Sequence, residues 1–522
     1  MVNLIQKYLS IQNFADKKAA FEDIFQSHPD YPSLFAITDT LDLLSIENIA
    51  AKVSQEQLLE LPDSFLAMYN QQLALVTKNE TSIKVKLAKE DAKNLSLDSF
   101  FLGWNGIVIV IEPNETISNK YLNTDLKWLY YSLPLITLLI ASIFYNNYDS
   151  VGAILLLTSI AGLVFSVFIV QEQLGYKNEM ISKFCTITTD NACNSVITSQ
   201  KSKINKWINF SDLPILFFGS NLTSLLLDPS TSANLIGLLS LIALPIIVYT
   251  LWIQKIELKQ WCLLCLVISF VIVLQSVLWI FKKEQFSNIT FSGLYFYLFS
   301  VIFIVSFWLI TRHILISKIK LKKEVTKLRK LQRNYEVLNF LSNKMAVLKG
   351  MDKLEGIRFG NEHAAVRVMI VISPNCKYCN TAFREALELA TQYSEKFFLK
   401  VLYNINPENN DNPYKVVVER LLEINNSNKA LAAEALIDWH IKNIGLKKWK
   451  EKWKTNFITP KVNQQIERQY NWCRENEFNY TPVKILNDKL LPNEYEIIDL
   501  KYFLNNYTED KQICERSDLV RL

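Results

Sequence analysis

Charge is what this 522-residue chain has least of. Asp, Glu, Lys and Arg make up 20% of it, against about 25% in an ordinary soluble domain. Six windows contain none of the four: 128–145, 151–170, 213–227, 233–253, 261–281 and 289–310. A bilayer crossing needs about 20 apolar residues. Four windows are 20 to 22 residues long, and 128–145 and 213–227 are read with them as shorter or tilted spans. Trp128, Tyr130, Tyr131, Tyr145, Trp252, Trp261 and Trp279 lie near window ends, where amphipathic rings favour the membrane interface. The chain is therefore an integral membrane protein with six crossings. Neither sign of charge dominates, since 56 Lys and Arg face 51 Asp and Glu for a net of +5. That balance removes nucleic acid as a partner. With 50% hydrophobic residues and only 12 glycines, disorder, collagen and a small disulfide scaffold are excluded. Internal repeats and low-complexity tracts are missing too. The first 15 residues lack a basic start followed by an apolar core, so the first membrane segment is expected to act as its own address.

Two polar regions flank the membrane block, each large enough for its own core. The division is residues 1–125, a six-helix membrane block over 126–313 with a bundle at about 150–285, a linker helix over 314–345, and a C-terminal domain over 346–522. In the linker, Leu321, Val325, Leu328, Leu331, Tyr335 and Leu338 recur at helical spacing beside a run of lysines and arginines, the pattern of an amphipathic helix.

Cysteine is absent from the first 184 residues; all eight follow: Cys185, Cys193, Cys262, Cys265, Cys376, Cys379, Cys473 and Cys514. Two pairs are CxxC. Cys262 and Cys265 open the fifth membrane window, and Cys376 and Cys379 follow an apolar, strand-like run at 366–372. Structural disulfides or zinc are the alternative readings. Zinc is disfavoured because the four histidines, His28, His313, His363 and His440, lie far from the membrane CxxC and are not spaced as ligands, so no metal is expected. Redox chemistry needs a thiolate, which CxxC and a helix N-terminus both favour. Cys376 fits, since it follows Ser373-Pro374-Asn375 and opens a helical stretch through Thr381, Phe383 and Leu387; Cys379, one turn on, can resolve a mixed disulfide. Cys473 and Cys514 are expected to pair with each other in an oxidising compartment.

Residues 346–522 resemble a thioredoxin-fold domain of the bacterial disulfide oxidases that carry a helical insertion. The match includes the CxxC, a second strand at 397–403, a helical stretch over about 413–470, and Tyr480-Thr481-Pro482-Val483. The resemblance implies a cis proline at Pro482 facing the active cysteines, with Thr481 and Pro482 binding the extended substrate chain. The membrane block resembles the vitamin K epoxide reductase family. Cys185 and Cys193 are eight apart in a loop, Ser199 follows, and a later helix begins Trp261-Cys262-Leu263-Leu264-Cys265. That resemblance implies a four-helix bundle around a quinone, menaquinone or ubiquinone. Cys262 and Cys265 would form the quinone pair, Cys185 and Cys193 the electron shuttle, and Ser199 a hydroxyl near the active pair. Ser269 stands where many members have a tyrosine, and Asn221 is a loose counterpart of a quinone-contacting asparagine. Such a bundle fused to a thioredoxin-like domain covers about residues 150–505.

Residues 1–125 look like a bacteriocin-processing cysteine-peptidase domain, an α+β papain-like fold. The segments that carry the likeness are His28-Pro29-Asp30-Tyr31-Pro32-Ser33-Leu34, Thr38-Asp39-Thr40-Leu41, Leu61-Pro62 and 73–77. Without a cysteine the domain is expected to be a degenerate peptidase, with Tyr31, Phe35, Leu61, Phe65 and Tyr69 lining a peptide groove and His28 as a turn residue.

These resemblances imply a quinone-coupled thiol oxidase of a bacterial inner (cytoplasmic) membrane. Its active cysteines would face the extracytoplasmic side, and its partners would be reduced cysteine-containing exported proteins or peptides, membrane lipid and the quinone pool. The nine Lys and Arg of 312–333 oppose that orientation under the positive-inside rule. The alternatives are an outward-directed reductase, a quinone-epoxide reductase, or a peptide-binding accessory of an exporter.

Overall fold

The computed structural model describes residues 1–79, 82–88, 92–114, 148–175, 209–257, 259–281, 291–455 and 457–521, with a few positions between 133 and 146; side chains from 514 onward are outside it. Most of the window at 128–145, together with Cys185, Cys193 and Ser199, is likewise outside the described residues, as is the Cys514 side chain.

Three helices open the chain, α1 (Val2–Ile11), α2 (Lys18–Gln26) and α3 (Leu34–Leu43). Ser33 starts the third by accepting the Ala36 N–H at 3.0 Å, satisfying a donor the first turn leaves bare. An antiparallel sheet follows: β1 (Asn48–Lys52), β2 (Ser64–Tyr69), β3 (Gln72–Lys78), β4 (Ile83–Leu87), β5 (Lys93–Leu95) and β6 (Trp104–Ile111), in the order β1-β6-β2-β3-β4-β5, with α4 (Leu97–Gly103) before β6. Successive strand residues point to opposite faces. Leu66, Leu73 and Leu75 therefore pack on Leu4, Tyr8, Phe25 and Ile37 of the helices, while Phe65, Ala67, Ala74 and Val76 pack with Phe100 and Trp104 on the far side. The same alternation rules out the expected peptide groove. Tyr31 belongs to the helix-side core, Leu61, Phe65 and Tyr69 belong to the opposite one, and Phe65 is wholly buried. His28 is a turn residue whose Nδ1 accepts the Asp30 N–H at 3.0 Å, and its Nε2 lies 3.2 Å from Asp39.

Five described helices are long and apolar enough to cross a membrane: α5 (Ser150–Gln173), α6 (Leu213–Leu227), α7 (Pro229–Trp252), α8 (Leu263–Ile280) and α9 (Phe291–Gln332). Small residues let them approach, as membrane helices require; a Cβ on Gly237 would sit 2.3 Å from the Trp279 ring. Buried Gln275 ties three helices together. Its amide donates to Thr158 at 3.0 Å and Ser159 at 3.2 Å and accepts from Ser240 at 3.2 Å.

The linker is not a separate helix beginning at 314. Membrane span and amphipathic run form one continuous 42-residue helix, α9, about 63 Å long at 1.5 Å per residue. It ends at a break before Asn334, whose side chain caps the next helix, α10 (Tyr335–Lys344).

The C-terminal sheet comprises β7 (Ile357–Gly360), β8 (Val366–Ile372), β9 (Phe397–Tyr403), β10 (Val483–Leu486) and β11 (Lys489–Leu490), in the order β11-β10-β8-β9-β7. Only β8 and β9 are parallel, joined by α11 (Lys377–Gln392). This is a thioredoxin-like fold, with α12 (Lys415–Ser427), α13 (Lys429–His440), α14 (Leu446–Lys452) and α15 (Pro460–Glu475) inserted between β9 and β10, and α16 (Leu504–Arg521) closing the chain. The whole is a multidomain membrane protein: an α+β domain, an α-helical transmembrane bundle and an α/β domain. Cys473 does not form the expected bridge. It is a free thiol packed among Met351, Met369, Leu402 and Trp472, and burial pushes it up to about 12.

The two polar domains meet on the emergent half of α9. Arg329 holds both carboxylate oxygens of Asp23 at 2.6 Å, and Lys322 lies 3.5 Å from Glu22. Arg333 donates to Ser27 on one side and to the Tyr502 hydroxyl, at 2.8 Å, on the other. Direct contacts complete the junction: Gln392 donates to Ser45 at 2.9 Å and Asn505 to Asp39 at 3.0 Å.

Candidate active site

Cys376 caps the N-terminus of α11 because β8 ends at Ile372 and the Ser373-Pro374-Asn375 turn delivers it there. Its Sγ accepts the Cys379 N–H at 3.1 Å and lies 3.5 Å from the Thr481 carbonyl oxygen. Cys376 and Cys379 are joined in a disulfide. Cys376 is half-buried and Cys379 fully buried, so an incoming thiolate meets Cys376 first. The helix terminus places backbone N–H groups and a partial positive charge at that sulfur. The Thr481–Pro482 bond is cis, and Pro482 follows the carbonyl that faces Cys376.

Two consecutive residues of α13 hold this loop from the insertion. The Trp439 indole donates to the Pro374 carbonyl at 2.9 Å, and His440 Nδ1 lies 2.7 Å from Asn380 Oδ1. Burial pushes His440 down to about 4, so its imidazole is neutral at neutral pH. No motif in the sequence announced either residue; the only available signal was their place in the helical insertion.

The second CxxC lies at one end of the membrane bundle. Cys262 stands at the N-cap position of α8, and its N–H donates to buried Gln254 at 3.0 Å. At the same end Ser211 donates to Gln173 at 2.7 Å, and Arg312 pairs with fully buried Asp212 at 3.0 Å. The ends of α5 and α7, the starts of α6 and α8 and the middle of α9 at Arg312 therefore share one face, from which α9 runs on into the junction with the C-terminal domain.

A cavity of about 470 Å³ opens beside Cys265. Its wall is mostly apolar, built from Leu213, Phe217, Ile246, Ile247, Val301 and Val305, with Ser220, Thr250, Ser269 and Tyr297 as polar points. Ser269 donates back to the Cys265 carbonyl at 2.8 Å. Tyr297 donates to Oδ1 of fully buried Asn221 at 2.9 Å, and Asn221 Nδ2 has no partner among the described residues. An apolar chamber with few polar points and a thiol at one end fits a quinone ring, whose carbonyls only accept hydrogen bonds, and the unmet Asn221 donor is held by Tyr297 of the chamber wall. Tyr297 was missed by motif reading because it stands alone on α9.

The structure thus places Cys265 and Ser269 on the chamber wall, with Cys262 buried at the start of the same helix and Asn221 bonded to the wall's Tyr297, and it places Cys376, Cys379, Thr481 and Pro482 around one loop. Residues 153–280 match the model of the vitamin K epoxide reductase family. Among solved structures, the chain is similar to a periplasmic thioredoxin-like protein from Salmonella enterica serovar Typhimurium, at 14% identity over 29% of this chain and 89% of that one, with a TM-score of 0.26. It is also similar to the catalytic domain of Proteus mirabilis ScsC, at 13% identity over 29% and 88%, TM-score 0.25, and to BdbD from Bacillus subtilis, at 10% over 32% and 98%, TM-score 0.25. No match was found among curated proteins. With a vitamin K epoxide reductase family domain in the membrane and a CxxC disulfide on a thioredoxin-like sheet, the chain is a thiol–disulfide oxidoreductase.

Proposed function

We propose that the protein is a quinone-coupled thiol oxidase that makes disulfides in exported proteins or peptides. The observation that carries this reading is the placement of Cys265 on an apolar chamber whose bundle face continues through α9 to the CxxC domain. A substrate dithiol attacks Cys376 through one thiolate, and its second thiolate releases the oxidised product, leaving Cys376 and Cys379 as thiols. Cys185 and Cys193 take over that electron pair and its two protons, and Cys262 and Cys265 receive them next. Quinone, menaquinone or ubiquinone, supplies the terminal two-electron acceptor when bound. Asn221 Nδ2 offers it a hydrogen bond, Tyr297 holds that amide in place, and the apolar wall excludes water.

The junction between residues 1–114 and the C-terminal domain requires both on one side of the membrane, hence an even number of crossings. Five described spans then call for the sixth at 128–145. Thiols that form disulfides need an oxidising compartment, so this side is extracytoplasmic and the membrane is a bacterial inner membrane. The lysines and arginines that opposed this orientation have another task in Lys322, Lys330, Arg329 and Arg333, which bind the N-terminal domain. The test is quinone reduction by the purified full-length protein given a reduced dithiol peptide. One quinone consumed per peptide disulfide formed is expected. Peptide disulfide reduction at the expense of quinol, or turnover only with a quinone epoxide, would overturn the oxidase reading.

A further inference from the structure

Beside the Cys376–Cys379 loop the chain carries a strip of cations that the reaction described so far does not use. Residues 441–455 contain six lysines, at 442, 447, 448, 450, 452 and 454, and one acid, Glu451. Buried Asp438 occupies two of them, Lys442 at 2.8 Å and Lys452 at 2.5 Å. Lys447, Lys448, Lys450 and Lys454 form no ion pair among the described residues, and all but Lys450 are exposed. Two tryptophans one helical turn apart pin the strip from beneath. Trp449 is wholly buried and donates to the Ala435 carbonyl at 2.9 Å, and Trp453 donates to Asp438 at 3.0 Å. The lysines are thereby held outward on a fixed frame.

The strip starts at the active site. Asn380, directly after Cys379, donates to Asn443 at 2.9 Å, and Lys447 is four residues farther, within about 14 Å of chain even if fully extended. Tyr378, between the two cysteines, is 79% exposed, and Phe457, three residues after Lys454, is 69% exposed, so exposed aromatic rings accompany the active cysteines and the end of the strip. Clustered cations repel one another and are tolerated where an anionic partner visits. Such a field raises the local concentration and association rate of oppositely charged ligands by about 10- to 1,000-fold at low salt.

We propose that Lys447, Lys448 and Lys454 form a docking surface for acidic polypeptide segments flanking the substrate cysteines. The proposal rests on the reading of Cys376 and Cys379 as the substrate-facing pair. A substrate with carboxylates near its dithiol would be drawn to the strip, and its thiolate would then attack Cys376.

The test uses full-length protein in neutral detergent, with Cys376–Cys379 oxidised and no quinone added. Single-turnover reduction of that disulfide is followed with three dithiol peptides alike except for acidic, glutamine or lysine flanks. Two electrons and two protons pass from each peptide, which leaves as its disulfide. The expected order is acidic, then glutamine, then lysine, with at least a tenfold gap between the extremes that collapses at high salt. The K447E/K448E/K454E variant should invert the order while reacting normally with the glutamine peptide. Equal rates for all peptides, or an acidic preference that survives the triple reversal, would overturn the proposal. So would loss of binding to phosphatidylglycerol vesicles with peptide preference unchanged, which would assign the strip to the lipid surface. Failure of the oxidase reading is separately visible, because it leaves every peptide rate here intact and stops only quinone-coupled turnover.

Discussion

Replacing Tyr297 with phenylalanine deletes one oxygen from the chamber wall and leaves the ring that packs against α6. The lost bond is the 2.9 Å donation to Asn221 Oδ1. Asn221 is fully buried and its Nδ2 is already unmet among the described residues, so the variant leaves both ends of a buried amide unpaired. An unsatisfied buried polar group costs about 1–3 kcal/mol. The amide can recover part of that by turning, and a turned amide presents its carbonyl oxygen where quinone needs a donor. That penalty falls on the stability of the protein, while the hydrogen bond withheld from quinone is worth about 0.5–1.5 kcal/mol, so the expected result is a rise in the quinone KM of about 2- to 12-fold at 1.4 kcal/mol per decade. The assay is steady-state quinone reduction by purified protein with saturating dithiol peptide, alongside single-turnover reduction of Cys376–Cys379. The second rate should be unchanged, since Tyr297 lies in the bundle and not in the CxxC domain. An unaltered quinone KM in a variant of normal stability would refute the assignment of Asn221 and Tyr297 to the quinone site.

Cys265→Ala should abolish quinone reduction and leave thiol exchange at Cys376 intact; normal quinone turnover in that variant would remove the membrane pair from the pathway. His440 remains neutral in the folded domain until about pH 4, against 6.5 for its ordinary value. Acid therefore protonates the unfolded chain first, and about 3 kcal/mol of stability is lost as pH falls from 6.5 to 4. Thermal melts of His440→Gln across that range should show a flatter loss than wild type. Cys473, with its thiol pushed up to about 12, should resist maleimide in the native protein at neutral and mildly alkaline pH and react once the chain is unfolded; Cys473→Ala should keep full activity. Arg333 is half-buried between Ser27 and Tyr502, whereas the Arg329–Asp23 pair is exposed and worth about 0–1 kcal/mol. Arg333→Ala should therefore loosen the junction, read as faster proteolysis between the membrane and C-terminal domains, more than Asp23→Ala does.

Both CxxC loops were legible because their chemistry is local. A thiol pair at i and i+3 suits a helix start, and Cys262 and Cys376 each stand at the N-cap position of one. Strands 366–372 and 397–403 were equally plain as apolar runs interrupted only by Arg367 and Lys400, since the parallel pair is covered on both faces. What escaped depended on contacts distant in sequence. Tyr297 meets Asn221 across 76 residues, and Trp439 meets Pro374 across 65; neither has a neighbour in sequence that marks it. The misplaced groove in the N-terminal domain had a different cause. Tyr31 packs in the helix-side core while Leu61, Phe65 and Tyr69 pack together on the opposite face of the sheet, and which face the opening helices cover is set by packing that no single segment's sequence displays. The basic run on α9 was ambiguous for a third reason: charge that orients a chain in a membrane and charge that binds a neighbouring domain are the same residues until the partner is seen.

The junction on α9 has a consequence for biogenesis. Asp23 and its partner Arg329 are 306 residues apart. At about 5–20 residues synthesised per second, the N-terminal domain emerges some 15–60 s before the helix that receives it. It can fold in that interval, because its helices and sheet enclose cores of their own. Its docking face, with Glu22, Asp23, Ser27 and Asp39, is polar and stays soluble while it waits for the late-made half of the chain. An apolar interface in the same place would be bare throughout translation and open to the wrong partner. The ion pairs that close the junction so weakly in energy are thus suited to a surface that must first survive alone in water.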